Sequence, residues 1–372
     1  MASMTTATSL LALSPQAERT FAAPAPSQRT LPATPGTVRW GAIDPAAEPV
    51  LEVPSGAALA VEAVSHHAGD APELMIDAGL DAIWAAIPES ERGPGVHVLT
   101  GPVAVAGARP GGAVAVRIET MAPRVPYGSN CAANWGLLYD TYGKERITVY
   151  ELDHSDGTPA TDFPTVAQPL FAYDFTSRPL YDVPGWRTPA SARVEEPFSR
   201  PVRVPVRPHF GLMGVLPGGD DVLSSIPPGV FGGNVDNWRF GPGATVFYPV
   251  FREGAGVYWG DPHFAQGDGE ICGTAIEASA NATVRLAAVD DLELRAPMLE
   301  TDTHWYTHGF GADLDEAARM AVEEMITLLR WRVGLSADDA YSLCSVAMDM
   351  GITQVVDGTL GAHCGIRRDI FL

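Results

Sequence analysis

Trp259-Gly260-Asp261-Pro262-His263-Phe264-Ala265-Gln266-Gly267-Asp268-Gly269-Glu270 cannot be a helix, because glycine and proline cost too much in a helix interior. Its polar groups must sit on strand ends and a tight turn, where the backbone can aim them at one point. Asp261 and His263 are two residues apart and share one side of an extended segment. That spacing suits two ligands of one metal ion. Asp268 and Glu270 have the same spacing across the turn, and a carboxylate beside a metal site can act as a general base. A plain polar β-hairpin with glycines for turn geometry explains the spacing equally well.

Short β-type runs surround this stretch. Upstream lie Val50–Val53, Ala58–Val64, His97–Val105 and Ala113–Glu119, alternating apolar with small or polar residues as paired strands do. A short helix is expected around Asp81–Ile87 and a strand at Arg146–Leu152. Further strands are expected at 244–251, 255–259, 270–276 and 281–289. The last part differs: Asp313 and Glu316 have the spacing of a capping box, and Leu314, Ala317, Ala318, Ala321, Met325, Leu328 and Leu329 follow at helical intervals. Gly334 stops that helix. A second begins at Ser336 and runs to near Gly351, and Ile352–Asp357 reads as a returning strand. Strand runs followed by helices predict an α+β fold, predominantly β, with a β-sandwich-like body and a C-terminal helical hairpin over 313–350. Residues 1–36, rich in Ala, Pro, Ser and Thr, read as a flexible extension, and 37–372 as one domain. Within it, 122–200 reads as an elaborated insertion covering a site.

Net charge is −21, which argues against nucleic acid or an anionic membrane as partner and favours a small neutral or cationic ligand. Cys131, Cys272, Cys344 and Cys364 form no CxxC pair, so reduced thiols in a cytoplasm are expected. No apolar run is long enough to span a bilayer.

Four blocks carry a resemblance to a known family. They are Leu99–Gly111, Pro208–Pro217, the long run from Gly232-Gly233-Asn234-Val235-Asp236-Asn237 through Asp261–Glu270 to Gly273-Thr274-Ala275-Ile276-Glu277, and Val355–Gly358 with Gly361-Ala362-His363. Together they resemble the acetamidase/formamidase family of amide hydrolases. The resemblance implies a β-rich homo-oligomer that cleaves a small neutral amide, of formamide or acetamide type, to acid and ammonia. It also implies a divalent metal, zinc before calcium. The segment 122–200 departs from the family pattern, and with it the substrate contacts.

Amide hydrolysis needs an activated nucleophile, a group to hold the oxyanion and an acid for the amine. Asp236, Asp261 and His263 are the expected metal ligands. Glu270 is the expected general base, with Asp268 as orienter or alternative ligand and His209 to polarise substrate. Asn234, Asn237 and Trp238 are expected to contact substrate. Against these stand blander readings: an Asx turn for Asn234–Asn237, and core packing for His209, Phe240, Trp259 and Phe264. His66 and His67 adjoin an acidic residue, Asp70, and one of them can complete a ligand set with two imidazoles; His363 has a weaker claim. A Cys272 thiolate with Glu270 as its base is a different amidase chemistry, but it needs a lysine that only Lys144 could supply. Two alternatives stay open: a hydrolase of a larger amide, lactam or carbamate, and a non-catalytic β-rich protein that holds calcium.

Overall fold

The computed structural model describes residues 29–153, 164–175 and 193–371. Strands hold 40% of these described residues and helices 17%, so the described structure is predominantly β, as the sequence patterns predict. A nine-stranded sheet runs in the order Arg29–Leu31, Ala57–Ala63, Ala280–Val289, Ala113–Pro123, Thr245–Pro249, Met298–Glu300, His304–Gly311, Leu360–Arg367, Met348–Gln354. All its neighbours pair antiparallel except the first two. A second sheet has the order Gly232–Asn234, His209–Gly214, Val257–His263, Val98–Val105, Val38–Trp40, with Leu51–Val53 also paired to Val98–Val105.

The two sheets face each other across the largest core. Leu59, Val116, Ile118, Val246 and Leu286 from the first meet Leu99, Phe210, Leu212, Val257 and Trp259 from the second. The strand Val257–His263 is buried along its whole length, so the second sheet is covered on both faces. That burial is what carries Asp261 and His263 out of solvent. The C-terminal hairpin packs on the far face of the nine-stranded sheet. Ala317, Ala321, Met325, Leu328 and Leu329 cover Trp305, Ala362 and Ile366. Asp313 caps the first helix, Leu314–Val333, by accepting from the Glu316 N–H.

Several expectations need correction. Residues 270–276 form no strand, because Gly269, Glu270 and Gly273 all take positive φ and fold the segment into turns. The second helix ends at Ala347 rather than near Gly351. Met348–Gln354 pairs instead with Leu360–Arg367, and that pairing overrides local helix preference. Residues 29–36 are not extension: Arg29–Leu31 joins the sheet edge, with Leu31 and Ala33 buried. Residues 1–28 lie outside the described residues.

The segment 122–200, described in part, builds a four-stranded antiparallel sheet with its neighbours: Tyr127–Ala132, Glu145–Asp153, Val166–Phe175 and Val204–Pro205. Its edge strand reaches the main body through backbone bonds between Ser129 and Glu277. Glu277 bridges to His263 as well, which ties the insertion to the centre of the second sheet. Among the described residues, no helix is long and apolar enough to cross a membrane.

Candidate active site

Buried titratable groups gather where the second sheet meets the insertion. Asp261 and His263, on one strand, are in contact: Asp261 Oδ2 lies 2.9 Å from His263 Nε2. Glu277 Oε2 approaches the same nitrogen at 3.2 Å. On the ring's other side, Nδ1 faces Gln266 Oε1 at 3.1 Å and His209 Nε2 at 3.2 Å. The Gln266 amide donates to the Asp236 carbonyl. This packing needs a bare backbone at Gly211, where a Cβ would lie 2.4 Å from the His263 ring and 2.7 Å from Asp236 Oδ1.

The backbone marks the same place. The non-glycine residues with positive φ among those described are Asp236, Asp261, Glu270 and Ala255. Three of the four are carboxylates of this cluster, and such conformations persist only where the surroundings impose them.

A cavity of about 220 Å³ opens onto the cluster. Its polar lining includes His66, His67, His97, Asn234, Asp261, Glu270, Glu277 and Asp357. Sequence reasoning left the choice between His66 and His67 open and assigned no role to His97, Glu277 or Asp357. The helical turn His66–Asp70 is capped by Ser65, whose side chain accepts from the His67 N–H, and it buries both histidines. His67 Nδ1 lies 3.2 Å from Asp70 Oδ2, and Ser129 Oγ donates to that same oxygen at 2.7 Å. His97 stands just before the strand Val98–Val105, beside the strand of Asp261.

Several three-residue sets bring potential ligand atoms within 4.8 Å of one another. They are His66–His97–Asp261, Asp236–Asp261–His263, His263–Glu270–Glu277 and Asp236–Glu270–Asp357. The trio expected from sequence, Asp236, Asp261 and His263, therefore does converge. Only Asp261 of that trio lines the cavity, however, whereas His66, His97 and Asp261 all do. Buried atoms without a hydrogen-bond partner include His66 Nδ1, Asp261 Oδ1, both Asp236 carboxylate oxygens and Asn234 Oδ1. Unpaired buried donors and acceptors are costly, so such a set fits a bound cation. These buried His, Asp and Glu clusters can hold a metal ion.

Electrostatics divides the cluster. Burial, with His67 and His97 nearby, pushes the His66 pKa well below the usual imidazole value. Burial lowers that of His97 too. Neutral imidazoles are the form that binds metals. Burial opposes the Asp261 charge, yet His97 and His263 hold its carboxyl well below the usual range. Burial likewise opposes a charge on His263, but Glu277 and Asp261 raise its pKa well above normal. Burial pushes Glu270 well up, with Asp357 and Glu277 adding to the effect. Asp236 is raised by burial and by Glu270, and Asp357 is raised to about 7, chiefly by burial. Three carboxyls this close cannot all ionise without a cation or shared protons.

Other expected residues lie elsewhere. Asp268 turns away from Glu270: it is half-exposed, takes two hydrogen bonds from Arg239 at 2.9 and 3.2 Å, and accepts from Trp238 Nε1 at 2.8 Å. The positive φ of Gly269 and Glu270 separates the two side chains that an extended segment would have aligned. Trp238 thus sits in that outer network, stacked with Arg207 and Arg239, and does not line the cavity. Asn237 is buried against His308 at 3.0 Å. Asn234 does line the cavity and donates to Asp357 at 3.1 Å. His209 lies behind His263, its Nδ1 donating to the Arg207 carbonyl at 2.6 Å, and burial drives its pKa down to about 3. Phe240, Trp259 and Phe264 belong to the core. Cys272 is half-buried in the turn after Glu270, where Asn130 donates to its sulfur at 3.3 Å.

Residues 44–371 match the model of the acetamidase/formamidase family. The chain belongs to this family. An acetamidase of Mycolicibacterium smegmatis is 32% identical over 210 residues, which is 49% of this chain and 50% of that protein. A putative formamidase of Schizosaccharomyces pombe is 31% identical over 231 residues, 55% of each. The matches thus span about half the length of these curated relatives. Among solved structures, a predicted acetamidase/formamidase of Thermoanaerobacter tengcongensis superposes with a TM-score of 0.70 at 24% identity, covering 92% of this chain and 96% of that one. A γ-lactamase of Delftia acidovorans gives 0.53 at 20% identity, covering 92% and 93%. These likenesses establish the family fold over nearly the whole chain.

Proposed function

We propose that this protein hydrolyses the C–N bond of a small aliphatic amide to a carboxylate and ammonia. The observation that carries the reading is the convergence of His66, His97, Asp261 and Glu270 on one small cavity in a member of this family. The relatives' names, acetamidase and formamidase, point to the same chemistry.

His66, His97 and Asp261 are the residues that would hold the ion. Two neutral imidazoles and one carboxylate facing open space are a donor set that suits zinc. When bound there, such an ion polarises an amide carbonyl and eases deprotonation of water. Calcium prefers oxygen, and the group Asp236–Glu270–Asp357 is the oxygen-only alternative in this cluster. His263, whose two nitrogens both face acceptors, carries two protons and supplies counter-charge to Asp261 and Glu277.

Glu270 takes the proton from the attacking water. Burial makes its carboxylate a stronger base than an exposed one. Asn234 positions the substrate amide and keeps Asp357 in place. His67 supplies the proton that the departing nitrogen needs: burial works against its charge, but Asp70 raises its pKa.

Glu270→Gln tests the base directly. Ammonia release from formamide and acetamide is expected to fall by about 10² to 10⁴ with the fold intact. A folded variant with full activity would remove Glu270 from this role.

A further inference from the structure

We propose that Trp135 sets the length of acyl chain the site admits, restricting substrates to short-chain amides. The inference rests on the amidase reading above and assigns a role to the segment 122–200. Besides its charged and polar groups, the cavity is lined by the apolar side chains of Val96, Trp135, Ile226 and Val356. That layout fits a polar amide head with a small apolar tail. Trp135 is the largest of the apolar side chains lining the cavity, so it takes up space that a longer tail would need.

The indole is fixed rather than free to swing aside. It packs closely on Gly273, where a Cβ would come within 1.8 Å of Trp135 Cδ1; any other residue at 273 would displace the ring. The chain on either side of Trp135 is fastened to the turn after Glu270. Asn130 Nδ2 donates to Thr274 Oγ1 at 2.9 Å and to the Thr274 carbonyl at 3.0 Å. Thr274 Oγ1 accepts from the Cys131 N–H at 2.7 Å. Leu137 N–H donates to the Ile271 carbonyl at 2.9 Å. A shift of the backbone that carries Trp135 would therefore disturb the turn that presents Glu270. The wall and the proposed base are parts of one rigid unit, and a longer acyl chain cannot push the ring away cheaply.

A methylene that does not fit an apolar pocket costs about 10- to 200-fold in discrimination. The test is kcat/KM for acetamide, propionamide, butyramide and hexanamide with the wild type, Trp135→Ala and Trp135→Phe. The butyramide-to-acetamide ratio is expected to rise by about 10- to 200-fold in Trp135→Ala, with Trp135→Phe in between. An unchanged ratio in both variants would overturn the inference. Saturation-transfer NMR with the same amides reads the binding preference without turnover. If no protein hydrolyses any amide, a shift towards longer amides in the variants still supports the wall and rejects only the amidase reading. Identical binding profiles in all three proteins would overturn the wall as well.

Discussion

His97 Nε2 lies 3.6 Å from Asp261 Oδ2, between neighbouring strands of the second sheet. Asp261 is thereby shared by His97, His66 and His263, one carboxylate among three buried imidazoles. Removing it takes one of the two carboxylates from the Nε2 side of His263, leaving Glu277 there. Asp261→Ala is expected to cost about 3–5 kcal/mol of stability, as breaking a buried charge pair does. Urea unfolding of the metal-free protein measures this. A loss below about 1 kcal/mol would mean that Asp261 is not the electrostatic hub of the cluster.

His209 stays neutral through the working pH range, since burial holds its pKa near 3. Its Nδ1 is committed to the Arg207 carbonyl, so Nε2 presents a lone pair towards His263 Nδ1. On the proposed mechanism its part is to orient His263 rather than to carry a proton. His209→Gln is expected to lower amide hydrolysis by about 10- to 100-fold, the usual effect of losing an orienting partner. The shape of the pH profile should be unchanged; a displaced profile would make His209 a proton carrier.

Asp268 holds Arg239 and Trp238 outside the cluster. Partial burial opposes its charge, but His363 and the Arg239 guanidinium hold its carboxyl well below the usual carboxylate range. Because the side chain is half-exposed, Asp268→Asn should cost no more than about 1 kcal/mol. Amide turnover should stay within roughly twofold of wild type. A hundredfold drop would return Asp268 to the catalytic group where sequence spacing first put it.

His308 is buried between Asn237 and the Pro297 carbonyl, and burial pushes its pKa down to about 3. The folded form keeps it neutral while the unfolded chain binds a proton below about pH 6.5. Its contribution is therefore present above that pH and is lost as pH falls towards 3. Between those limits the slope is about 1.4 kcal/mol per pH unit. Chemical denaturation of wild type and His308→Gln from pH 7 to 4 should show the wild type losing stability faster by that amount. Parallel curves would rule the term out.

Much of the fold can be read from alternation along the chain. Ala280–Val289 and Ala113–Pro123 form strands where their patterns predict, although the patterns do not name their partners, and the Asp313 cap marks the helix start. The boundary at Ala347 cannot be read, because Met348–Gln354 becomes a strand only by pairing with a distant partner. The site is half legible for a similar reason. Asp261 and His263 share a strand, so a two-residue spacing predicts their contact. Asp268 and Glu270 have the same spacing, but positive φ at Gly269 and Glu270 sends them apart. His66, His97 and Asp357 come from separate elements, and no local pattern joins them. His97 leaves one faint trace, a histidine at the start of an otherwise apolar strand.

The central claim is that His66, His97 and Asp261 hold the ion that this chemistry needs. The most direct measurement is metal content by elemental analysis, together with ammonia release from acetamide, for wild type and His97→Ala purified in parallel. The expected result is about one zinc per chain in the wild type, as a three-ligand site with an open position would hold. His97→Ala should lose most of that zinc and the activity together. A folded His97→Ala protein with undiminished zinc and undiminished amide hydrolysis would contradict the claim.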